Sequence, residues 1–505
     1  MTLSSREPSY SSTNTMHLHL IKSSLAIITL SATYSLAASA HDAKTDSKSV
    51  SLGEAHHGSI HTDLKILNQF EEQPESTQQF YIEARDAILR NNSRRALDQI
   101  CKRYDRIHMG GPMLGNLSEE SVSIWMQFPH NQKISVTVTN EAQSFTQTYS
   151  SKKGSTHHHQ LCDGLTPNTK YSYTVSITGS ETILASGAFT TAPPKDFQGI
   201  YKLAVGADFH KIGLHRPELL DLVQSRGNIG MLLLGDLAVD GRRSVPERNI
   251  DYLLRDISPV WQRFAAHIPS YTSWDDHDYY GNDSGGLYAG NPNNPIDVKA
   301  LRSNWKRMWN NPERQLNREG IYFQTQIGPA HIIMLDTRSC RINEKRGELH
   351  SFLGEEQSQW ALKAIQESTS PYLIISSGTM WTNYISNGKD SWGTWDTQGL
   401  EEILSALDQK SHSKILLFSG DRHGAHAFGI KRPNGKTYTE FGVGTLGGVP
   451  GGGKAQDQST QLFAYPGAGT WAYGELEFDT TTPDTPAVTF HLINTEGQEI
   501  ETVEL

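Results

Sequence analysis

The chain has 505 residues, with 45 Lys and Arg against 55 Asp and Glu, and a formal net charge of −10 at pH 7. This length exceeds what one hydrophobic core usually supports, so we expect two domains and additional segments. This net negative charge gives no indication of a basic surface that would bind nucleic acid or an anionic membrane. Three cysteines are too few for a disulfide scaffold, although a bridge between Cys101 and Cys162 stays open.

The first predicted element is an export signal in residues 1–40. Lys22 precedes an apolar stretch from Leu25 to Ala37, and the small residues 38–40 follow where a signal peptidase would cut. The stretch is too short and too rich in Ser and Thr for a transmembrane helix, and no later segment approaches about twenty apolar residues. We therefore expect an exported protein, periplasmic or secreted, without a membrane span.

A helical pattern runs through residues 63–105, in which apolar residues such as Leu64, Leu67 and Phe70 recur at helical spacing. No residue in this pattern suggests a catalytic or metal-binding role. We therefore predict that residues 41–109 form an N-terminal helical extension that packs on the main body. A partner-binding arm is the alternative.

Short strands separated by turns are predicted for residues 110–194. Apolar and polar residues alternate in 121–126 and 134–138, a pattern typical of a β-sandwich. The segment 164–175, with the sequence GLTPNTKYSYTV, resembles the corner and following strand of a fibronectin type III module. We expect the histidines at 157–159 to lie in a surface loop of this module rather than at a metal site.

Apolar runs alternate with helical stretches in residues 195–505. The runs 203–205 and 231–234, with a helix predicted at 218–225 between them, have the spacing of a βαβ unit. Such units build a buried, largely parallel sheet with ligands at the strand ends. The chain finishes in alternating segments that predict closing antiparallel strands. The sequence therefore predicts an α/β catalytic domain in this region.

Five clusters of carboxylate and imidazole residues follow apolar, strand-like runs in this domain. Such side chains are seldom buried alone, because burying an unpaired charge costs free energy or shifts the group to its neutral form. Gathered around a pair of divalent metal ions they become stable, which makes a phosphoester hydrolase with a dinuclear site the leading hypothesis. In chain order, the clusters are Asp208-Phe209-His210, Gly235-Asp236, Trp274-Asp275-Asp276-His277-Asp278, Asp336-Thr337-Arg338 and Gly420-Asp421-Arg422-His423.

The spacing of the first two clusters suggests ligand roles. Asp208 and His210 are two residues apart at the exit from a strand, so both side chains can face one metal ion. Asp236, after the second strand, is the natural bridging carboxylate. A dinuclear hydrolase needs one such bridge and terminal oxygen or nitrogen ligands on each ion.

The third and fifth clusters complete the site. Asp276 supplies a ligand for the second ion, and His277 an imidazole that can protonate the leaving oxygen. Asp421 and His423 return from a late strand to close both coordination spheres. The third cluster is the strongest single signal, because its neighbouring carboxylates repel one another unless a cation or hydrogen bonds compensate them.

As an ordered set, these clusters resemble the signature of the calcineurin-like metallophosphoesterases. The forms WDDHD and GDRH, and a small β-sandwich ahead of the catalytic domain, are similar to the alkaline phosphatase D branch. The resemblance covers about residues 110–505. It implies a four-layer α/β/β/α sandwich of the metallophosphatase type, preceded by a small fibronectin III-like β-sandwich.

The resemblance also implies roles for individual residues. His277 would be the catalytic imidazole, and Arg242 and Arg338 would hold phosphate oxygens, which guanidinium groups bind bidentately. Asn282 and Arg422 would contact the substrate. The implied metal ligands are Asp208, His210, Asp236 and His423 for the first ion and Asp236, Asp276 and Asp421 for the second.

One departure from the family pattern bears on the metal. Val239 stands where iron-containing relatives carry a metal-binding tyrosine. Because a ferric centre would lose this phenolate, we expect two divalent ions, drawn from Mn, Zn, Ca and Mg, rather than ferric iron. A colourless protein follows from the same substitution.

The sequence therefore predicts an exported, metal-dependent phosphoesterase. It would hydrolyse phosphomonoesters or phosphodiesters by attack of a metal-bridging hydroxide, without a covalent enzyme intermediate. The alternative is a surface binding protein with a structural metal site and a partner- or glycan-binding β-sandwich. Structural metal sites are usually closed, so a free imidazole at His277 favours the enzyme.

Overall fold

A computed structural model of the chain gives the fold of most of its length. The predicted export signal lies outside the described residues. No helix within the described ranges is long and apolar enough to cross a membrane. The structure describes residues 50–90, 94–287, 295–312, 319–384, 390–410, 413–449, 460–465, 471–482 and 485–505.

Four helices precede the first strand: α1 (Leu52–His57), α2 (Ile60–Leu67), α3 (Glu75–Leu89) and α4 (Arg94–Arg103). Helix α1 was not anticipated from the sequence pattern, which begins near residue 63. A capping box starts it, in which Ser51 and Glu54 each accept a hydrogen bond from the other's backbone N–H. It ends at Gly58, which has a φ of 60°, and a glycine adopts this left-handed conformation without strain.

Seven strands follow: β1 (Gly110–Gly115), β2 (Val122–Gln132), β3 (Ile134–Asn140), β4 (Phe145–Ser150), β5 (Ser155–Cys162), β6 (Lys170–Ile177) and β7 (Ile183–Thr190). One sheet has the order β4-β3-β6-β7, and β2 lies between β1 and β5 in another. The expected surface loop at 157–159 is wrong, because all three histidines lie on β5 and pair with β2. Strand β2 is buried over most of its length, and pairing with it leaves the His158 side chain buried and those of His157 and His159 partly buried.

The remaining strands are β8 (Ile200–Gly206), β9 (Met231–Leu233), β10 (Ser270–Thr272), β11 (Phe323–Ile327), β12 (Ala330–Met334), β13 (Tyr372–Ser376), β14 (Lys414–Ser419), β15 (Ala425–Lys431), β16 (Thr437–Val443), β17 (Gln461–Tyr465), β18 (Ala472–Asp479), β19 (Ala487–Asn494) and β20 (Glu499–Glu504). The helices among them are α5 (His210–Gly213), α6 (Pro217–Ser225), α7 (Val245–Ile257), α8 (Pro259–Ala265), α9 (Asp276–Tyr279), α10 (Val298–Met308), α11 (Gly354–Glu367), α12 (Trp392–Trp395) and α13 (Thr397–Asp408).

Two large sheets form the centre of the fold. One has the order β20-β19-β18-β8-β9-β10-β1-β2-β5 and the other the order β11-β12-β13-β14-β16-β15-β17. Strands β8, β9 and β10 are parallel, as are β12, β13 and β14. The strand β1 pairs with β10 in parallel at Gly115 and Ser270. Three strands of the predicted sandwich therefore extend the first large sheet.

Apolar side chains fill three layers between and outside the two large sheets. Residues such as Leu203 and Ile374 form the layer between the sheets. Leu219 and Trp261, on α6 and α8, pack on the outer face of the first sheet. Ile403, on α13, packs on the outer face of the second. This helix, sheet, sheet, helix order confirms the predicted four-layer fold.

The three cysteines are free in the structure. Cys101 on α4 and Cys162 on β5 are both buried, and Cys340 is partly buried. The bridge between Cys101 and Cys162 that the sequence left open is therefore not formed. Large apolar layers stabilise a domain of this size without covalent links.

A buried ionic network joins the N-terminal helices to the α/β body of the protein. Asp63 on α2 accepts hydrogen bonds from the Tyr81 hydroxyl at 2.8 Å and from Lys211 Nζ at 3.0 Å. Lys211 also pairs with Asp251 on α7 at 3.2 Å, and Arg242 Nε binds the same Asp251 at 2.9 Å. Because a buried charge is stable only when it is paired, these contacts hold α2 against α5 and α7.

We expect Asp63→Ala to lower the free energy of unfolding by about 3–5 kcal/mol, because it removes one partner of a buried ion pair. Asp86→Ala is the matched control, since the Asp86 and Arg90 side chains are 48% and 72% exposed and exposed pairs contribute about 0.2–1 kcal/mol. Denaturant unfolding followed by circular dichroism measures both variants. Equal effects of the two substitutions would contradict the anchoring role of Asp63.

Candidate metal centre

The predicted ligands follow the carboxyl ends of four central strands. The carboxyl ends of parallel strands meet at one edge of a sheet, where ligands bind in open α/β sheets. The two large sheets face each other, so their loops meet at the same end of the sandwich. In chain order, the ligands follow β8 (Asp208 and His210), β9 (Asp236), β10 (Asp276) and β14 (Asp421 and His423).

Within the described residues, four groups of side chains have potential ligand atoms within 4.8 Å of one another; one is His56, His210 and Asp240, and the other three overlap through shared carboxylates. Asp236 belongs to the first two of these three groups and Asp276 to the last two. One oxygen of Asp236 lies 3.6 Å from His210 Nε2 and 3.9 Å from His423 Nε2. Asp236 therefore joins two adjacent clusters. The three overlapping groups are His210, Asp236 and His423; Asp236, Asp276 and His277; and Asp275, Asp276 and Asp421.

Asp208 lies beside these groups and organises the loop after β14. Its carboxylate accepts hydrogen bonds from the backbone N–H groups of Asp421 at 3.2 Å and His423 at 3.0 Å. A Cβ atom at Gly444 would lie only 2.0 Å from Asp208 Oδ2. Only glycine therefore fits at position 444, and Asp208 is held between two loops.

The two imidazoles of the first group are oriented by oxygen atoms outside it. His210 Nδ1 lies 2.7 Å from Asp240 Oδ1, and His423 Nδ1 lies 2.8 Å from the Val449 carbonyl oxygen. Their Nε2 atoms are only 3.2 Å apart. A histidine that donates its Nδ1 proton to such an oxygen presents Nε2 to a metal ion. The Nε2 atoms of both rings thus face the same point, as they would if both bound one metal ion.

Burial sets the protonation state of the His210 imidazole. It lowers the pKa of His210 to about 4, although Asp240 opposes the shift. The ring is therefore neutral near pH 7, and neutral imidazole is the form that binds a metal ion.

The carboxylates of the site destabilise one another. Burial, together with Asp276, Asp275 and Asp208, raises the pKa of Asp236 well above its usual range. Burial and the carboxylates of Asp275 and Asp276 do the same for Asp421. Cations are the usual compensation for such a cluster. Carboxylate oxygens with two imidazole nitrogens are a donor set that fits two divalent ions such as Mn²⁺ or Zn²⁺.

Strained backbone is concentrated at the same residues. Of the non-glycine residues that the structure describes, eleven have a positive φ, and five of these are predicted metal ligands. Asp and His are among the residues that tolerate this conformation best. Strain of this kind persists where the surrounding structure imposes it, and it clusters at active sites. The five are Asp208 (61°), His210 (46°), Asp236 (51°), Asp421 (74°) and His423 (50°).

Arg338, predicted to hold phosphate oxygens, is fully buried and paired with three carboxylates. Its Nε lies 2.6 Å from Asp275 Oδ1, its Nη1 2.7 Å from Asp390 Oδ2 and its Nη2 3.3 Å from Asp421 Oδ1. The guanidinium therefore binds carboxylates from three loops and holds these loops together. This arrangement differs from the expected contact with substrate.

Arg242 is likewise engaged within the protein. It pairs with Asp251, and its Nη1 donates a hydrogen bond to the carbonyl oxygen of His56 at 2.8 Å. By contrast, within the described part of the chain, the buried Nε of Arg422 has no hydrogen-bond partner. Asn282 is exposed in the loop whose next residue, Asp283, donates its backbone N–H to Asp276 at 2.6 Å. Arg422 and Asn282 thus lie at the margin of the site.

Sequence reasoning missed four residues of this site. Asp240, Asp275 and Asp390 orient His210 or Arg338. Asp275 lies inside the WDDHD cluster and Asp240 follows Asp236 by four residues, so proximity to a predicted ligand was a usable signal for both. His56 comes from α1 and has no motif. Its ring stacks on His277, with centroids 4.2 Å apart and an interplanar angle of 25°.

Comparisons with known proteins agree with this fold. A solved structure of PhoD superposes with a TM-score of 0.62 at 15% identity, covering 79% of this chain and 92% of that one. A purple acid phosphatase from yellow lupin (Lupinus luteus) seeds gives a TM-score of 0.57 at 12% identity, covering 78% of this chain and 73% of that one. These likenesses establish the fold.

Sequence models identify two regions of the chain. The model of the PhoD-like phosphatase family matches residues 250–480, and a domain of unknown function, DUF7800, matches residues 107–194. A search of curated proteins found no match. The PhoD-like match contains Asp276 and Asp421, and its family supports a metal-dependent phosphoesterase. Residues 250–480 therefore match the PhoD-like phosphatase family model, and the chain has the same fold as the solved structures of PhoD and the purple acid phosphatase.

Proposed function

We propose that this protein is an exported phosphoesterase that uses two divalent metal ions to hydrolyse phosphomonoesters or phosphodiesters. The observation that carries the proposal is the position of Asp236 between two clusters of potential ligands, one of which contains two imidazoles facing the same point. A carboxylate shared by two ions is what a dinuclear hydrolase requires.

The proposed ligands are those implied by the sequence. When bound, two divalent ions supply an activated water nucleophile and screen the charge of the phosphoryl oxygens. Val239 is buried in an apolar layer and provides no phenolate, so we assign Mn, Zn, Ca or Mg rather than ferric iron. The first ion would be held by Asp208, His210, Asp236 and His423, and the second by Asp236, Asp276 and Asp421.

His277 is the proposed catalytic imidazole. Its backbone N–H lies 2.7 Å from Asp276 Oδ1 and 3.3 Å from Asp236 Oδ1, which fixes the residue beside both clusters. From this position the ring donates a proton to the leaving oxygen as the bond between phosphorus and that oxygen breaks. Closed structural metal sites lack such a group, which disfavours the alternative of a binding protein.

The arginines have different proposed roles. Arg422 binds the phosphoryl oxygens, because it is the predicted arginine with a buried, unpaired Nε within the described residues. Asn282 contacts the substrate from the adjoining loop. Arg338 and Arg242 act indirectly, by holding Asp421 and the last turn of α1.

Metal-stripped protein is expected to lose hydrolysis of nitrophenyl phosphate or bis(nitrophenyl) phosphate and to regain it with Mn, Zn, Ca or Mg. Asp236→Asn should lower kcat by more than roughly 100-fold, because the shared ligand is lost, and should reduce the bound metal. Steady-state kinetics and elemental analysis measure both quantities. Glu477→Gln, on β18, is the control and should behave as the wild type. Folded protein that is inactive with all four metals would contradict the proposal.

Arg422→Ala is expected to reduce kcat/KM by about 10- to 100-fold, because a hydrogen bond to a charged group contributes roughly 1.5–3 kcal/mol. Metal content should not change. The matched control is Arg243→Ala, since Arg243 is exposed and lies over the Tyr280 ring at 5.6 Å. Steady-state kinetics of both variants provides the comparison, and a larger loss for Arg243→Ala would reverse the assignment.

Export is tested on the protein made in its native cell. We expect mature chains that begin after Ala40 in the extracytoplasmic fraction, because signal peptidase cleaves after small residues that follow an apolar stretch. Mass spectrometry of the purified N-terminus gives the cleavage point. Chains that keep residues 1–40 and remain in the cytoplasm would contradict export.

A further inference from the structure

Helix α1 delivers a fourth imidazole to the metal centre. The His56 ring lies 4.2 Å from that of His277 in a stacked arrangement and 5.8 Å from that of His210. Its Nε2 is 3.8 Å from Asp240 Oδ1, the atom that also faces His210. The His56 side chain is 27% exposed, whereas His210 is fully buried. His56 therefore covers the outer face of the imidazole cluster.

Two arginines bind the carboxyl end of α1 and keep the helix in this position. Arg242 Nη1 donates to the His56 carbonyl oxygen at 2.8 Å, and Arg85 Nη2 donates to that of Gly58 at 3.0 Å. Cations at a helix C-terminus also interact favourably with its dipole. A Cβ atom on Gly58 would overlap the Arg242 guanidinium, at 1.5 Å from Nη2. Arg242 and Arg85 thus fix the carboxyl end of α1 next to His56.

His277 differs from the other two central histidines in how its ring is held. His210 and His423 each have an oxygen within 2.8 Å of Nδ1. In the described residues, Nδ1 of His277 is buried and has no hydrogen-bond partner, and the same is true of His56 Nε2. Ring contacts therefore take the place of a hydrogen bond at His277. These are the stack on His56 and an edge contact with His210 at 5.3 Å.

We propose that His56 is a positioning residue that fixes the ring of His277 by stacking, so that the N-terminal helices form part of the active site. The inference rests on the proposed catalytic role of His277. Without the stack, the ring can rotate about its side-chain bonds, because no direct hydrogen bond in the described structure restrains it. A misplaced catalytic group loses rate even when substrate and metal still bind.

Four full-length proteins test this role: wild type, His56→Ala, His56→Phe and His57→Ala. Phenylalanine restores a flat ring of similar size without the nitrogens, so it separates stacking from hydrogen bonding. His57 is the matched control, because it is the exposed neighbour of His56 on the same helix. Denaturant unfolding of each variant checks that α1 stays folded and docked.

The first readout does not depend on hydrolysis. Diethyl pyrocarbonate modifies accessible imidazole nitrogens, and peptide mapping by mass spectrometry gives the rate at His277. We expect this rate to rise severalfold in His56→Ala, because the buried Nδ1 becomes accessible, and to stay near the wild-type rate in His56→Phe and His57→Ala. An unchanged rate in His56→Ala overturns the proposal.

The second readout is steady-state hydrolysis. We expect kcat of His56→Ala to fall about 10- to 100-fold with little change in KM or metal content, and His56→Phe to recover most of the loss. Equal losses in both variants would show that a nitrogen of His56 is required, which overturns positioning by stacking. If the wild type hydrolyses no ester, the proposed function fails, while the modification rates still decide whether His56 holds His277.

Discussion

Repulsion among buried carboxylates is the constraint on which this structure depends. Five of them, Asp208, Asp236, Asp275, Asp276 and Asp421, gather at the carboxyl ends of strands from both large sheets. Burial makes each charge costly, and proximity adds to the cost. Two divalent ions would offset most of this negative charge, and the Arg338 guanidinium, which also pairs with Asp390, adds to the compensation.

The fold supplies the rigidity that such a cluster requires. Parallel strands direct the motif loops to one end of the sandwich, and the left-handed conformation at five proposed ligands turns the chain abruptly after β8, β9 and β14. The close approach of Gly444 to Asp208 and the hydrogen bond from His423 to Val449 then fix neighbouring loops. Binding energy for the metal ions can offset this stored strain. The site and the two-sheet architecture are therefore interdependent.

Sequence alone predicted the layers and the grouping of acid and imidazole side chains at the strand ends, because both depend on local patterns. Apolar runs define strands, and acid or imidazole residues directly after them have few stable positions other than a shared site. The carboxylates that pair with the buried arginines could not be predicted in this way. Arg242 and Arg338 were assigned to phosphate by residue type, yet their guanidinium groups bind Asp251 and Asp390, whose proximity only the tertiary structure creates. The single pairing of β1 with β10 is equally invisible in local patterns.

The N-terminal helices show how stability and chemistry are coupled in this chain. One buried carboxylate, Asp251, binds both Lys211, which holds α2 through Asp63, and Arg242, which holds the end of α1. Because α1 carries His56, the same ion pairs that dock the helices also set the position of an imidazole beside His277. Helix α1 lies before the helical pattern that begins near residue 63, so the sequence predicted neither this helix nor a role for His56. The proposed role arises from docking, since one histidine at the fixed end of α1 reaches the proposed catalytic imidazole, which belongs to a cluster assembled from distant strands.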